Sequence, residues 1–430
     1  MPHGNIYKTL PSKFWSIYYQ HEGGGLMDPL DIVSSLHKVR PVYQPIVSAI
    51  RHDVIGYEVL GKFDDDGDWN SLGDFFQDDE VPEEFKVEVD QHLLEIALSE
   101  MLDSGKEGDL FINRTAKQLM VNDGDALLQT LIEFEKKGFS MDRIVIEVTE
   151  HDFDEAFEGL NHLLLYYKTY GIKIAVDRVG AKSSNIDRIR QLEPHILKID
   201  TRIIRSYNSE GFQDIMYSLS MLAHRIGAAL LFEYIEDDFQ LRFAWKHGGR
   251  YYQGYYLAKP GFCLAANDSL AINISEKVSE YIQREKYLVE ERLTHVLNWE
   301  EKVKALQHQW KGTKKVDSFI ESVTSEFNQE SFRMYVCNSD GEQVSSNFRK
   351  RNEDWEVEPD KVGSNWAFRP YFLENMMQMK TWSRGILSDI YSDIETREMI
   401  RTFSFPLTDQ YFLFIDIRYS FIYENESLLI

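Results

Sequence analysis

Over the first 260 positions, the apolar residues fall into short unbroken runs separated by turn residues. Pro41-Val42-Tyr43-Gln44-Pro45-Ile46-Val47 and Val54-Ile55-Gly56-Tyr57-Glu58-Val59-Leu60 flank a turn at Arg51-His52-Asp53 and predict a strand pair. Further runs at 109–113, 144–150, 173–180, 196–200, 228–233 and 251–256 read as strands buried on both faces. Helical spacing predicts helices over 83–103, 116–137, a segment closing at Tyr170, 212–226 and 238–246. In the first of these, Phe85, Val89, Leu93 and Ile96 share a face. Strands that mostly alternate with helices across 28–262 predict an α/β domain of the (β/α)8 barrel type. The opening hairpin departs from that scheme, because an orthodox barrel places a helix between its first two strands.

The pattern changes near residue 272. Ile282, Val289, Val296, Val303 and Trp310 recur every seven residues in a charged stretch without proline and without glycine until Gly312. A connecting helix over 272–312 follows, its apolar seam packed on a domain or on a second chain; self-association to a homodimer is the favoured reading. Residues 316–430 predict a second, α+β domain. Its strands are expected at 332–336, 342–344, 386–391, 399–405 and 411–417, with a turn at Asn338-Ser339-Asp340-Gly341 and a helix at 370–379. Residues 1–27 contain Gly23-Gly24-Gly25 and are read as an extension outside the folded unit.

Charge narrows the choices. A formal net charge of −24 argues against a DNA-binding surface, which needs clustered Lys and Arg. A small anionic ligand stays compatible where a metal ion or a few cations offset it. Asp64-Asp65-Asp66 and Asp78-Asp79-Glu80 read as solvated loops. Two cysteines, Cys263 and Cys337, exclude a disulfide framework or zinc cluster and point to a reducing, cytoplasmic setting. No apolar run approaches the roughly 20 residues of a membrane span.

The candidate chemistry lies where the apolar runs end. Glu58, Asn113, Glu147, Asp177, Lys198, Glu233 and Gln253 each follow or interrupt a strand run. One such residue is readily explained as a strand emerging into water. Seven on consecutive strands are not, because a barrel gathers these ends over one mouth. Crowded carboxylates must be protonated, paired or bound to a cation. Carboxylate and amide oxygens are hard ligands suited to Mg²⁺, Mn²⁺ or Ca²⁺. A metal beside a lysine suits a phosphate: the metal polarises the phosphoryl group and the ammonium offsets developing charge.

Taken together, these residues resemble a known family. Glu58-Val59-Leu60 resembles the signature triplet of the EAL family of bacterial cyclic di-GMP phosphodiesterases. Tyr43-Gln44-Pro45-Ile46, Phe111-Ile112-Asn113, Ile146-Glu147-Val148-Thr149-Glu150, Leu197-Lys198-Ile199-Asp200, Phe232-Glu233-Tyr234-Ile235-Glu236 and Gln253-Gly254-Tyr255 resemble its other motifs, in order. The resemblance covers about 28–262. It implies a barrel with an antiparallel first strand and hydrolysis of cyclic di-GMP to linear pGpG. It implies that Glu58, Asn113, Glu147 and Asp177 hold a divalent metal. Lys198 and Glu233 would position or deprotonate the attacking water, supported by Gln253. Gln44, Glu58, Leu60, Lys62 and Lys198 would contact the ligand. Lys62 stands where the family usually has Arg, so a forked phosphate contact becomes a point charge.

One departure bears on activity. The family pattern Asp-Asp-Phe-Gly-Thr-Gly-Tyr-Ser-Ser reads here as Asp177-Arg178-Val179-Gly180-Ala181-Lys182-Ser183-Ser184, one residue shorter. Arg178 replaces a second-metal ligand. A guanidinium cannot ligate a cation, yet it can pair with a phosphate. Ligand binding with weak or lost hydrolysis is the expectation; an active phosphodiesterase and a non-binding scaffold are the alternatives. In the second domain, residues 365–372 and 388–393 resemble motifs of PAS-like and Cache-like sensor domains. They would line a pocket for a small polar molecule or simply fill a core and a dimer face. A small ligand or a protein partner at this domain is the corresponding expectation.

Overall fold

The computed structural model describes residues 28–429 apart from 150–156, 181–185, 203, 205–208, 353 and 370–371. The extension at 1–27 and the shortened loop at 181–184 lie outside the described residues. Two compact units divide at Val278/Ser279, a point inside the helix Ile274–Leu306.

In the first unit the strands are β1 (Val39–Ser48), β2 (Val54–Asp65), β3 (Asp68–Ser71), β4 (Asp109–Asn113) and β5 (Ile144–Thr149). They continue as β6 (Lys173–Asp177), β7 (Ile196–Asp200), β8 (Ala229–Glu233) and β9 (Gly249–Tyr252). The order β1-β9-β8-β7-β6-β5-β4-β2 closes on itself through the β1–β2 pairing. This is an eight-strand barrel with β3 folded onto β2 at its edge. β1 runs antiparallel to both neighbours, while β2 and β4 to β9 are mutually parallel.

Alternation along the strands decides what points inward. Ile46, Phe111, Val145, Ala175, Ile196 and Leu231, from six different strands, meet in one buried cluster. Residues that far apart in sequence meet only inside a closed barrel, so they form an apolar plug. Positions two residues further toward the mouth share the same face. On the outer face, Gly61 leaves room for Leu72 and Leu93; a Cβ there would approach their methyls at 2.9 and 2.8 Å.

Several elements differ from expectation. The single helix expected over 116–137 is two, Ala116–Met120 and Asp125–Lys136. Gly124 breaks it with φ 77°, and Tyr167 donates to its carbonyl at 2.8 Å. The hairpin strand β3 and the helix Val316–Glu326 were not anticipated.

The second unit has strands β10 (Ser331–Asn338), β11 (Asn347–Arg351), β12 (Asp354–Glu358), β13 (Ile386–Leu387), β14 (Tyr391–Ser392), β15 (Met399–Pro406) and β16 (Tyr411–Ile417). The main path is β12-β11-β10-β16-β15-β13, all antiparallel, with β14 on β15. In place of the strand expected at 342–344, Glu342 and Gln343 make isolated bridges, and 386–391 divides into two short pieces. One sheet face buries Met334, Val336, Phe403 and Ile415 against Trp299, Val303, Phe319 and Val323. The heptad seam therefore divides: Val303 is core and Val296 and Trp310 pack on it, while Ile282 and Val289 stay exposed.

Candidate active site

Five of the seven polar residues singled out sit two positions beyond a plug residue. Asn113 follows Phe111, Glu147 follows Val145, Asp177 follows Ala175, Lys198 follows Ile196 and Glu233 follows Leu231. The period of two thus stacks a polar layer on the apolar one. Glu58 joins from β2, and Gln253 from the residue after β9.

Lys198 is the centre. Its ammonium is 2.7 Å from Glu147 Oε2, 3.3 Å from Glu58 Oε2 and 3.5 Å from Glu233 Oε2. Glu58 also accepts from Asn113 Nδ2 at 2.7 Å and Gln253 Nε2 at 2.5 Å. Lys198 and Glu147 are each 1% exposed, and Glu58, Asp177, Glu233 and Gln253 are buried. Asn113 is the exposed member of the layer.

The charges do not balance. Four carboxylates (Glu58, Glu147, Asp177 and Glu233) face one buried ammonium. Burial opposes ionisation of Glu58, but Lys198 and the hydrogen bonds from Asn113, Gln253 and Lys198 outweigh it and lower its pKa. Glu147 is pushed well up, by burial first and then by the charges of Glu58 and Asp177. Burial and then Asp177 push Glu233 up in the same way. Burial disfavours the Lys198 ammonium, yet Glu147, Glu58, Glu233 and Asp177 together raise its pKa well above the ordinary value. Glu147 Oε1, Glu233 Oε1 and Gln253 Oε1 are buried acceptors without a hydrogen-bond partner.

Among the described residues, no three His, Cys, Asp or Glu side chains form a ready-made cation site. The layer nonetheless fits a divalent cation: it is short of positive charge and holds unsatisfied hard oxygens. Glu58, Asn113, Glu147 and Asp177 are the oxygen donors that would hold it.

The remaining expected residues lie around this layer. Gln44 is half-buried and directly opposite Glu58 in the β1–β2 register. Leu60 and Lys62 continue the Glu58 face of β2, but the Lys62 ammonium is turned to the carbonyl of Trp69, at 3.0 Å. Arg178 has φ 57°, and its backbone N–H donates to Asp177 Oδ1 at 2.8 Å. Its guanidinium Nε is 3.6 Å from Asp177 Oδ2, and its side chain is 37% exposed. It folds back over the Asp177 carboxylate at the rim. Two neighbours were not anticipated as site residues. Arg202 forks onto Asp200 and lies over the ring of Tyr234, 3.5 Å from its centroid. No local sequence signal marks that contact, because it joins the ends of β7 and β8.

An α/β barrel with one antiparallel strand and this carboxylate–lysine layer is the architecture of the EAL domain. The EAL domain model matches residues 31–260, and a model described as an EAL-domain associated signalling protein domain matches 264–429. The chain belongs to the EAL-domain family. It is 44% identical over 407 residues to the EAL-domain containing protein YkuI of Bacillus subtilis (strain 168), covering 94% of this chain and 100% of that protein. The crystal structure of B. subtilis YkuI in complex with substrate c-di-GMP and calcium superposes with a TM-score of 0.88 at 43% identity, covering 94% and 100% of the two chains. The cyclic di-GMP phosphodiesterase PdeA of Borreliella burgdorferi is 27% identical over 126 residues, 29% of this chain and 19% of that protein. Among the described residues, no helix is long and apolar enough to cross a membrane.

Proposed function

We propose that the chain is a cyclic di-GMP receptor of the phosphodiesterase type, with hydrolysis weak or lost. The observation that carries this is the buried Lys198 among Glu58, Glu147 and Glu233, short of positive charge and ringed by unsatisfied oxygens. A divalent metal on Glu58, Asn113, Glu147 and Asp177 would supply that charge and polarise the phosphodiester. Lys198 offsets charge developing on the phosphoryl group, and Gln253 steadies the layer through Glu58. Glu233, kept protonatable by its surroundings, is the group placed to exchange a proton with water. Gln44, Leu60 and Lys62 line the approach from β1 and β2.

Arg178 is the reason to expect impairment. It stands where the family pattern has a second aspartate, and its guanidinium pairs with Asp177. That places a fixed positive charge where a second cation would need an anion. The same charge suits a phosphate, so binding survives.

We assign ligand binding to 28–262 and the link to the helix region 272–312. A sensor role of the PAS or Cache kind falls to 316–430, and the protein acts as a homodimer. The exposed Ile282 and Val289 support self-association, and the buried Asp393 and the Trp366–Arg369 stack support a built second domain. Equilibrium dialysis of the full chain with cyclic di-GMP and Mg²⁺ or Mn²⁺ tests the binding, and failure to take up ligand refutes it. A second reading, an active phosphodiesterase, is favoured by Lys198, Glu233 and Gln253 all standing in one layer. Rapid pGpG formation with Mn²⁺ would establish it over the first.

A further inference from the structure

The rim of the barrel carries a side chain that its backbone disfavours. Tyr234 follows Glu233 with φ 56°, in the left-handed region where Asn, Asp and Gly are at ease and a bulky residue is strained. Such strain persists only where neighbouring contacts over-determine the backbone. Here they do. Thr201 Oγ1 donates to the carbonyls of both Glu233 and Tyr234 at 2.8 Å, and Thr201 N donates to Glu233 O at 3.1 Å. Ile235 N donates to Gln253 O at 3.1 Å. Gly254 closes the fit, since a Cβ there would land on the backbone of Ile235. A glycine at 234 would satisfy every one of these bonds without strain, so the backbone alone gives no reason for a tyrosine.

The side chain is placed for a ligand. Its ring is braced by Arg202, whose guanidinium lies 3.5 Å from the ring centroid and is held in place by Asp200 at 2.6 to 3.0 Å. The residue remains 38% exposed. Its hydroxyl is pushed up by the Glu233 charge first and then by burial, and the charges of Glu58 and Lys198 act on it too. Tyr234 directly follows Glu233 at the end of β8, so the residue stands at the rim of the carboxylate–lysine layer, partly open to solvent. A flat, rigid, cation-braced aromatic next to a phosphate site is what a nucleobase stacks on.

We propose that Tyr234, braced by Arg202, is a base-stacking platform that holds one purine of the dinucleotide at the rim of the mouth. This deepens the proposed function and rests on its reading of the site. The test is calorimetric binding of cyclic di-GMP to the full chain with Ca²⁺, comparing wild type, Tyr234→Gly and Tyr234→Phe, with thermal melts of each. Tyr234→Gly is expected to bind roughly tenfold or more weakly, because the stack is lost. Tyr234→Phe should bind like the wild type. Both should melt within about 2 °C of it, since the strain relieved and the chain freedom gained by glycine oppose each other. Unchanged affinity in Tyr234→Gly overturns the platform and leaves the proposed function standing. Equal loss in a folded Tyr234→Phe also overturns it, in favour of a hydroxyl hydrogen bond. Absence of binding by the wild type overturns the reading of the whole site, and the platform with it.

Discussion

Both units bury a cation among carboxylates, and the two clusters are built to different ends. In the second unit, Arg333 donates from Nε to Asp416 at 2.5 Å and from NH2 to Asp393 at 2.6 Å. Asp393 also accepts from Thr396 N and Oγ1 at 2.9 and 3.0 Å, and Asp416 from Thr402 at 2.6 Å. Neither carboxylate has a buried oxygen left without a partner. In the barrel, Lys198 faces four carboxylates, and Glu147, Glu233 and Gln253 each keep one buried oxygen unbonded. A satisfied network holds a fold together; one left open at low dielectric is costly unless something binds there. Completeness, and not the mere presence of buried charge, separates the structural cluster from the candidate site.

Removing each cation in turn should affect the two clusters differently. Lys198→Met should abolish any pGpG formation and lower the stability of the metal-free chain by about 3–5 kcal/mol, measured by urea unfolding. Arg333→Met should cost about 3 kcal/mol, because it strands two buried carboxylates. It should leave cyclic di-GMP affinity unchanged in the same dialysis assay, whereas a large loss there would mean the second cluster also serves the ligand.

Metal addition sharpens the contrast. Saturating Mn²⁺ at about 100 times its Kd should add about 2.7 kcal/mol to the barrel, seen as a higher melting temperature that chelation reverses. Glu147→Gln should remove that gain. Arg178→Asp should raise pGpG formation about tenfold, equivalent to about 1.4 kcal/mol of barrier. No increase would place the defect in the rest of the 178–184 segment.

The smallest effect is in acid. Burial alone would raise Asp393, but Arg333 and Thr396 more than offset it, so its folded pKa lies below the ordinary value. The pairing therefore contributes stability above the unfolded value of about 4 and loses it as pH falls through the lowered folded value. A small loss of stability should therefore appear at the acid end of a pH titration of the full chain. Asp393→Asn, weaker at neutral pH, should show a flatter acid limb.

The strand runs were legible because a parallel barrel buries both strand faces, and β4, β5 and β7 begin and end within a residue of expectation. The polar layer was legible for a related reason: seven polar residues at the ends of successive apolar runs admit few arrangements. Elements that depend on tertiary partners were not legible. The break at Gly124 depends on Tyr167, 43 residues away. The short β13 and β14 exist only as additions to β15. The heptad seam hid a division of labour, since nothing local distinguishes Val303 in a core from Val289 in solvent.

Unbroken apolar runs and residue chemistry are local properties, so the amino-acid sequence was enough to indicate the barrel, the members of the polar layer and, against the family pattern, the departure at Arg178. Tertiary structure decided which of those groups are left unsatisfied, and where the Arg178 guanidinium turns. It also decided that Tyr234 stands on a strained backbone against Arg202. Those outcomes depend on distances between strand ends, which barrel closure sets and no single stretch of chain encodes.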